Sequence, residues 1–189
     1  MYPERWIGAL VFISAVFAMG FLVGGCDGDS EKQNTNRPDY PYDVQKFADQ
    51  GQDHIPAGDV RDDYNSNPPT SGPHGPVAAW GIHDVPVPKE SAIHNMEHGG
   101  VVVWYNCEAG DAPLAKDDCD HLREQLTTVI QPAVDAGRFV LMTAFSDIRH
   151  RIALTAWQTL DAFDGFDAAR VQAFIASFEC KFNPEGFCR

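Results

Sequence analysis

The apolar run Val101–Tyr105 constrains the fold more than any other feature of the sequence. Its residues, VVVWY, are β-branched or aromatic and have no polar interruption, a composition typical of a buried strand. Residues 101–179 continue as ordinary core material. Residues 48–100, in contrast, are rich in Gly, Pro, Asn, Asp, Ser and His and contain no long periodic segment. A loop-rich half of this kind usually carries function, while regular elements hold it in place.

Four further elements are predicted after the first strand. An amphipathic helix, disturbed at Pro132 and capped by Gly137, has an apolar face formed by Leu122, Leu126, Val129 and Ile130. Two strands are predicted at Phe139–Phe145 and Ile152–Leu160. The last helix has Asp167 as its N-cap and an apolar stripe formed by Val171, Phe174, Ile175 and Phe178.

This order of elements predicts an α+β domain. We expect a small mixed β-sheet with two packed helices, in the order β-α-β-β-α of thioredoxin-like or ferredoxin-like folds, and a long loop-rich N-terminal half. The sequence has no C-x-x-C motif, so a thioredoxin activity is not implied.

The N-terminal segment is predicted to be a secretory signal. Arg5 precedes an apolar run at residues 6–23, which closes on the small residues directly before Cys26. Because this junction resembles a lipobox, we expect residues 1–25 to be removed and Cys26 to be lipidated. An uncleaved signal anchor is the alternative, since the run nearly reaches the ~20 residues that span a bilayer. Either version places the domain on the periplasmic side or the cell surface, and Asp27 favours the inner membrane.

The polar stretch at residues 26–42 is predicted to be a flexible tether, and residues 43–189 are enough for one globular domain. The formal net charge of the chain is −13. Such a domain repels nucleic acid and attracts cations, so a nucleic-acid partner is excluded. The expected contact is with the membrane, through the N-terminal lipid.

Besides Cys26, the chain contains four cysteines: Cys107, Cys119, Cys180 and Cys188. In an exported domain an even number of cysteines indicates disulfides. Four cysteines allow three pairings. We favour the local ones, Cys107 with Cys119 and Cys180 with Cys188, because each pair brackets a turn-rich loop. A zinc site of four thiolates is disfavoured, because the spacings lack a C-x-x-C pair.

The loop-rich half contains three distinctive stretches: HIPAG at residues 54–58, YNSNPPTSGPH at residues 64–74, and HNMEHGG at residues 94–100. Together with an Ala-Trp pair at residues 156–157 and the last helix, they resemble domain-of-unknown-function family 3105. The resemblance covers roughly residues 44–179 and implies no particular activity. Met96 replaces the usual Leu of the family, and His83 replaces an aromatic residue, so neither inherits a family role.

Four histidines of these stretches are candidate metal ligands. Imidazole is the commonest metal ligand outside the cytoplasm, where thiols are consumed in disulfides. We predict that His74, His94 and His98 bind one copper or zinc ion, with His54 as a fourth ligand or an outer group. Candidate outer groups are Glu97, Tyr64 and Met96. A helical backbone would direct His94 and His98 toward one ion. An extended backbone would instead align both with Met96, whose thioether suits copper.

Other interpretations of the histidine stretches remain open. Residues 94–98 match the H-x-x-E-H template of zinc peptidases, but Gly99-Gly100 would end the helix that such enzymes need. A metal-dependent hydrolase would use Glu97 as general base. In a metal-free module for envelope assembly or partner binding, the histidines would be hydrogen-bonded scaffold. No catalytic residue is predicted.

Overall fold

The computed structural model describes residues 37–188. Six strands and three helices follow one another along this part of the chain: β1 (Gln45–Lys46), β2 (Gly81–Ile82), α1 (Lys89–Glu97), β3 (Val101–Tyr105), α2 (Lys116–Asp135), β4 (Val140–Ala144), β5 (Ile152–Ala156), β6 (Thr159–Phe163) and α3 (Ala168–Phe178). The predicted α+β class is confirmed.

The strands form one mixed sheet in the order β1-β6-β5-β3-β4-β2. β3 lies near its centre, parallel to β4 and antiparallel to β5. All five residues of β3 are buried, because the sheet carries a layer on each face. Val101 and Val103 face one core cluster, whereas Val102 and Trp104 face the other. This alternation explains why the run is apolar throughout.

Helices α2 and α3 cover the first face. The predicted apolar stripes of both helices lie in this core, with Leu126 and Phe174 fully buried. Asp167 is the N-cap of α3, and its carboxylate accepts a hydrogen bond of 3.0 Å from the backbone N–H of Arg170. The predictions for these two helices are therefore confirmed, and α2 continues past Pro132 to Asp135.

Helix α1 and the loop-rich half cover the second face. Ile93 and Met96 of α1 are fully buried beside Trp104 and Trp157. The histidine stretches thus lie on the sheet face opposite α2 and α3. Both faces of the central strands are closed, one by regular helices and the other largely by loops.

Two predicted element counts were wrong. The segment predicted as one strand at Ile152–Leu160 forms a hairpin, because Gln158 adopts a φ of 59° and reverses the chain between β5 and β6. Residues 37–188 also form three helices, where two were predicted. Helix α1 buries Glu90, Asn95 and Glu97, so its sequence lacks the apolar periodicity by which helices are predicted.

The local disulfide pairing is confirmed. Cys107 is bonded to Cys119 and Cys180 to Cys188, with Cα–Cα distances of 5.5 and 5.4 Å. The second disulfide closes a loop that is attached to the end of α1, because the backbone N–H of Cys180 donates a 2.6 Å hydrogen bond to the carbonyl of Gly99.

The predicted signal peptide and Cys26 lie outside the described residues, as does most of the predicted tether. The described end of that tether contacts the domain: Tyr40 packs its ring 5.3 Å from that of Phe174 and hydrogen-bonds Asp161. Among residues 37–188, no helix has both the length and the apolar character needed to cross a membrane.

The connection between α1 and β3 accepts no side chain at Gly100. A Cβ atom there would lie 2.5 Å from the ring of Trp80 and 2.6 Å from the carbonyl oxygen of Asn95. We expect Gly100→Ala to lower the free energy of unfolding by about 2–3 kcal/mol, the upper part of the range for overpacking. Urea unfolding measures this change. Gly165→Ala is the control, since a Cβ atom at Gly165 meets nothing within 4 Å, and an equal effect of the two variants would contradict the explanation.

Candidate metal centre

Helix α1 places His94 and Glu97 on one face. Residues three apart in a helix are neighbours on its surface, and the Nε2 atom of His94 lies 3.9 Å from Oε2 of Glu97. Both side chains are largely withdrawn from solvent, with 13% of His94 and 4% of Glu97 exposed. An uncompensated carboxylate in such a place is costly, so its surroundings require an explanation.

The Pro-rich loop brings His74 to the same place. Residues 53–55 pair with His74 as in a short parallel ladder: the N–H of His74 donates to the carbonyl of Asp53 over 2.9 Å, and the N–H of Ile55 donates to the carbonyl of His74 over 2.8 Å. The rings of His54 and His74 consequently lie 4.9 Å apart, measured between centroids. Two loops far apart in sequence thus supply adjacent imidazoles.

Side-chain hydrogen bonds hold these loops in place. The hydroxyl of Tyr64 donates to the carbonyl of Pro73 over 2.6 Å. Asn95 of α1 accepts from the N–H of Ala78 over 3.1 Å and donates to the carbonyl of the same residue over 3.0 Å. The histidine-bearing loop is therefore attached on one side to Tyr64 and on the other to α1.

The four side chains converge. One nitrogen from each of His54, His74 and His94 and one oxygen of Glu97 all lie within 4.8 Å of one another. From Oε2 of Glu97, the Nε2 atoms of His74 and His54 are 3.0 and 3.8 Å away. Each ligand atom of a zinc ion lies about 2.0–2.2 Å from the metal. Ligand atoms around one ion are therefore separated from one another by distances comparable with the 3.0 and 3.8 Å observed here. The set fits one transition-metal ion.

The outer nitrogens of two of these imidazoles are already engaged. Nδ1 of His74 lies 2.9 Å from the carbonyl oxygen of Gly72, and Nδ1 of His94 lies 2.7 Å from that of Gly75. A carbonyl oxygen can only accept, so both Nδ1 atoms carry the hydrogen. In the neutral rings, Nε2 then presents its lone pair to the centre. Metal-bound histidines commonly use this outer hydrogen bond to fix tautomer and orientation.

Burial acts on the ionisation of the cluster. It lowers the pKa of His74, and the neighbouring imidazoles of His94 and His54 lower it further, against the hydrogen bond to Gly72. Burial raises the pKa of Glu97, and the negative charge of Glu185 adds to this effect. Burial also lowers the pKa of His98. The lowered pKa of His74 and the raised pKa of Glu97 mean that the charged forms of these two side chains are disfavoured unless a counter-charge is present.

The closest pair of the cluster consists of two acceptors. Among the described residues, neither Nε2 of His74 nor Oε2 of Glu97 has a hydrogen-bond partner, although both atoms are buried and only 3.0 Å apart. A neutral imidazole nitrogen and a carboxylate oxygen repel at this distance. A cation between them, either a proton or a metal ion, removes the repulsion.

A protein-family model matches most of this chain. The model of a family described as protein of unknown function (DUF3105) matches residues 57–188, more than half of the chain. The chain belongs to this family. Searches of curated proteins and of solved structures give no match. The match includes His74, His94 and Glu97 of the cluster, while His54 lies just before it.

In this DUF3105 domain His98 occupies a neighbouring position. It follows α1 directly as the C-cap residue, and its Nε2 atom lies 2.7 Å from Oε2 of Glu185. A second group of potential ligands consists of Glu97, His98 and Glu185. The sequence prediction grouped His98 with His74 and His94. The structure brings His54 and Glu97 into that central position and places His98 beside it.

The remaining predicted residues have other surroundings. The side chain of Met96 is fully buried in the second core cluster, beside Trp104 and Trp157, and packs there instead of joining the histidine cluster. The backbone at residues 94–97 is helical, so the extended arrangement of His94, Met96 and His98 is not the one observed. Tyr64 hydrogen-bonds the backbone carbonyl of Pro73 in the histidine-bearing loop, and its predicted role as an outer group of a metal site stays a prediction.

Two residues were missed or undervalued from sequence. Glu97 was predicted as an outer group, yet its carboxylate lies among the three imidazoles. The signal for it was present, since an acidic residue three positions after a histidine shares its helical face. Glu185 had no such signal, because it lies in the C-terminal disulfide loop and reaches the site only through the tertiary fold.

Proposed function

We propose that this domain binds one transition-metal ion, copper or zinc, through His54, His74, His94 and Glu97, and that Cys26 anchors the protein to a membrane as an exported lipoprotein. The observation that carries the metal proposal is the buried acceptor pair formed by His74 and Glu97. The outer nitrogen of His74 is hydrogen-bonded to Gly72, so the lone pair of its Nε2 atom faces the lone pairs of the Glu97 carboxylate. A cation bound between them would be coordinated by both.

The chemistry of the donors limits the choice of ion. Three imidazole nitrogens and one carboxylate oxygen form a set suited to zinc and equally to copper(II), whereas calcium and magnesium prefer oxygen ligands. The acidic domain, with its formal charge of −13, also attracts cations. His54, of which 60% of the side chain is exposed, lies at the open side of the cluster, where an ion can enter.

The arrangement favours a binding role over hydrolysis. A general base on a metal-bound water would need Glu97 to be directed toward that water, whereas Glu97 lies at ligand distance from the imidazoles. Helix α1 ends at Glu97, so it does not provide the long helix of the H-x-x-E-H peptidases. Metal handling, or a binding site built around the metal, is the function that the geometry supports best.

Metal content tests this proposal. The full chain, exported and extracted from membranes, is expected to carry about one tightly held copper or zinc ion, measured by inductively coupled plasma mass spectrometry. His74→Ala should lose that ion, because it removes the most buried ligand. His121→Ala is the matched control, since His121 is exposed on α2. A wild-type protein that contains no metal and binds none on titration would overturn the proposal, as would full retention by His74→Ala.

The proposed lipid anchor on Cys26 can be tested separately. We expect Cys26→Ser to prevent lipidation, so that the protein loses the lipid mass on its N-terminus and leaves the membrane fraction. Fractionation followed by intact mass spectrometry measures both properties. If the wild-type protein stays in the membrane with residues 1–25 intact and no lipid, the segment is an uncleaved anchor instead.

A further inference from the structure

Glu97 belongs to two groups of potential ligands. With His54, His74 and His94 it forms the cluster described above, and with His98 and Glu185 it forms a second group whose ligand atoms also lie within 4.8 Å of one another. The two groups adjoin, since the ring centroids of His94 and His98 are 4.6 Å apart. That spacing is close to the 4.7 Å between His74 and His94 within the first group.

The second group is held in place by its surroundings. Glu185 lies in the loop closed by the Cys180–Cys188 disulfide, and the N–H of Cys180 attaches this loop to the carbonyl of Gly99. The ring of Phe187, from the same loop, lies 4.2 Å from the ring of His98. The disulfide loop therefore fixes both partners of the contact between His98 and Glu185.

The carboxylate of Glu97 is the feature that points to a ligand. It is 3% exposed, and its Oε2 atom, which has no hydrogen-bond partner among the described residues, faces the imidazoles of the first group. A carboxylate has two oxygen atoms and can bind one ion with each. A buried carboxylate between two sets of donors is the arrangement found where two metal ions share a bridging ligand.

We propose that the domain binds a second divalent ion beside the first, with Glu97 as the bridging ligand and His98 and Glu185 as its other protein ligands. The proposal rests on the function proposed above and extends it from one ion to two. Two divalent ions carry four positive charges, whereas Glu97 and Glu185 supply two negative ones. The second ion is therefore bound more weakly than the first and carries solvent or a small anion in its open positions.

Zinc titration of the full chain, freed of metal by chelation, tests the inference. Isothermal calorimetry and native mass spectrometry are expected to show two zinc ions per wild-type chain, one bound at least about 10-fold more tightly than the other. Glu185→Gln should bind one ion only, with the affinity of the tight site changed less than about 3-fold. Glu124→Gln, which alters an exposed carboxylate on α2, should retain both ions.

The zinc content of the wild-type chain and of Glu185→Gln distinguishes the second site from the first. One zinc ion per wild-type chain, unchanged by Glu185→Gln, overturns the second site and leaves the first standing. Loss of all zinc in Glu185→Gln also overturns it, because Glu185 would then be a ligand of a single ion. Two ions in Glu185→Gln show that the weaker one is bound elsewhere on the acidic surface. No zinc in the wild-type chain overturns both proposals.

Discussion

Replacing Glu97 with glutamine is expected to lower the affinity of the domain for copper or zinc at least about 100-fold. Loss of an outer partner of a metal ligand costs 10–100-fold in affinity, and Glu97 is proposed as a ligand itself. Glutamine keeps the shape of the side chain and removes only its charge, so the effect does not depend on a cavity. Competition with a chromogenic chelator measures the change.

The same substitution should have the opposite effect on the metal-free protein. The amide of glutamine can donate a hydrogen bond to Nε2 of His74, the atom that Oε2 of Glu97 faces at 3.0 Å. Replacing a repulsive contact by a buried hydrogen bond should raise the free energy of unfolding by about 1 kcal/mol. Urea unfolding with and without a chelator compares the two states, with Glu124→Gln as control. An effect of the same sign in both states would contradict the account.

Removal of the metal should produce the largest change in stability. An ion present at about 1,000 times its dissociation constant stabilises the folded state by about 4 kcal/mol. For a domain of this size, that corresponds to a melting temperature about 8–16 °C higher than that of the chelated protein. Differential scanning calorimetry before and after chelation measures the shift. His74→Ala should show almost no response to the chelator, and a wild-type protein that melts at the same temperature in both states would contradict the prediction.

Elements of the fold could be predicted from sequence wherever their apolar residues follow one regular pattern. The continuous apolar run predicted strand β3, and the apolar residues at helical spacing predicted helix α3. In each case one regular pattern of buried residues identifies the element. The hairpin between β5 and β6 was missed, since a positive φ at Gln158 reverses the chain without Gly or Pro. Helix α1 was missed because it buries the polar side chains of Glu90, Asn95 and Glu97, which interrupt the apolar periodicity by which helices are predicted.

Part of the site could also be predicted. His74 and His94 lie in the two most distinctive stretches of the sequence, and the structure brings them together. The choice between His54 and His98 as the third imidazole could not be made, because it depends on the pairing of residues 53–55 with His74. Such pairing between irregular loops leaves no periodic signal. The position of Glu185 depends on the Cys180–Cys188 loop folding back onto the end of α1.

Anomalous diffraction from crystals of the metal-loaded protein, recorded at the absorption edges of zinc and copper, tests the metal centre most directly. We expect an anomalous peak about 2.0–2.2 Å from the Nε2 atoms of His74 and His94 and from a carboxylate oxygen of Glu97, with His54 as the fourth ligand. If the density shows no metal peak at this position and His74 instead shares a proton with Glu97 in a short hydrogen bond, the cluster is scaffold and the metal account is contradicted.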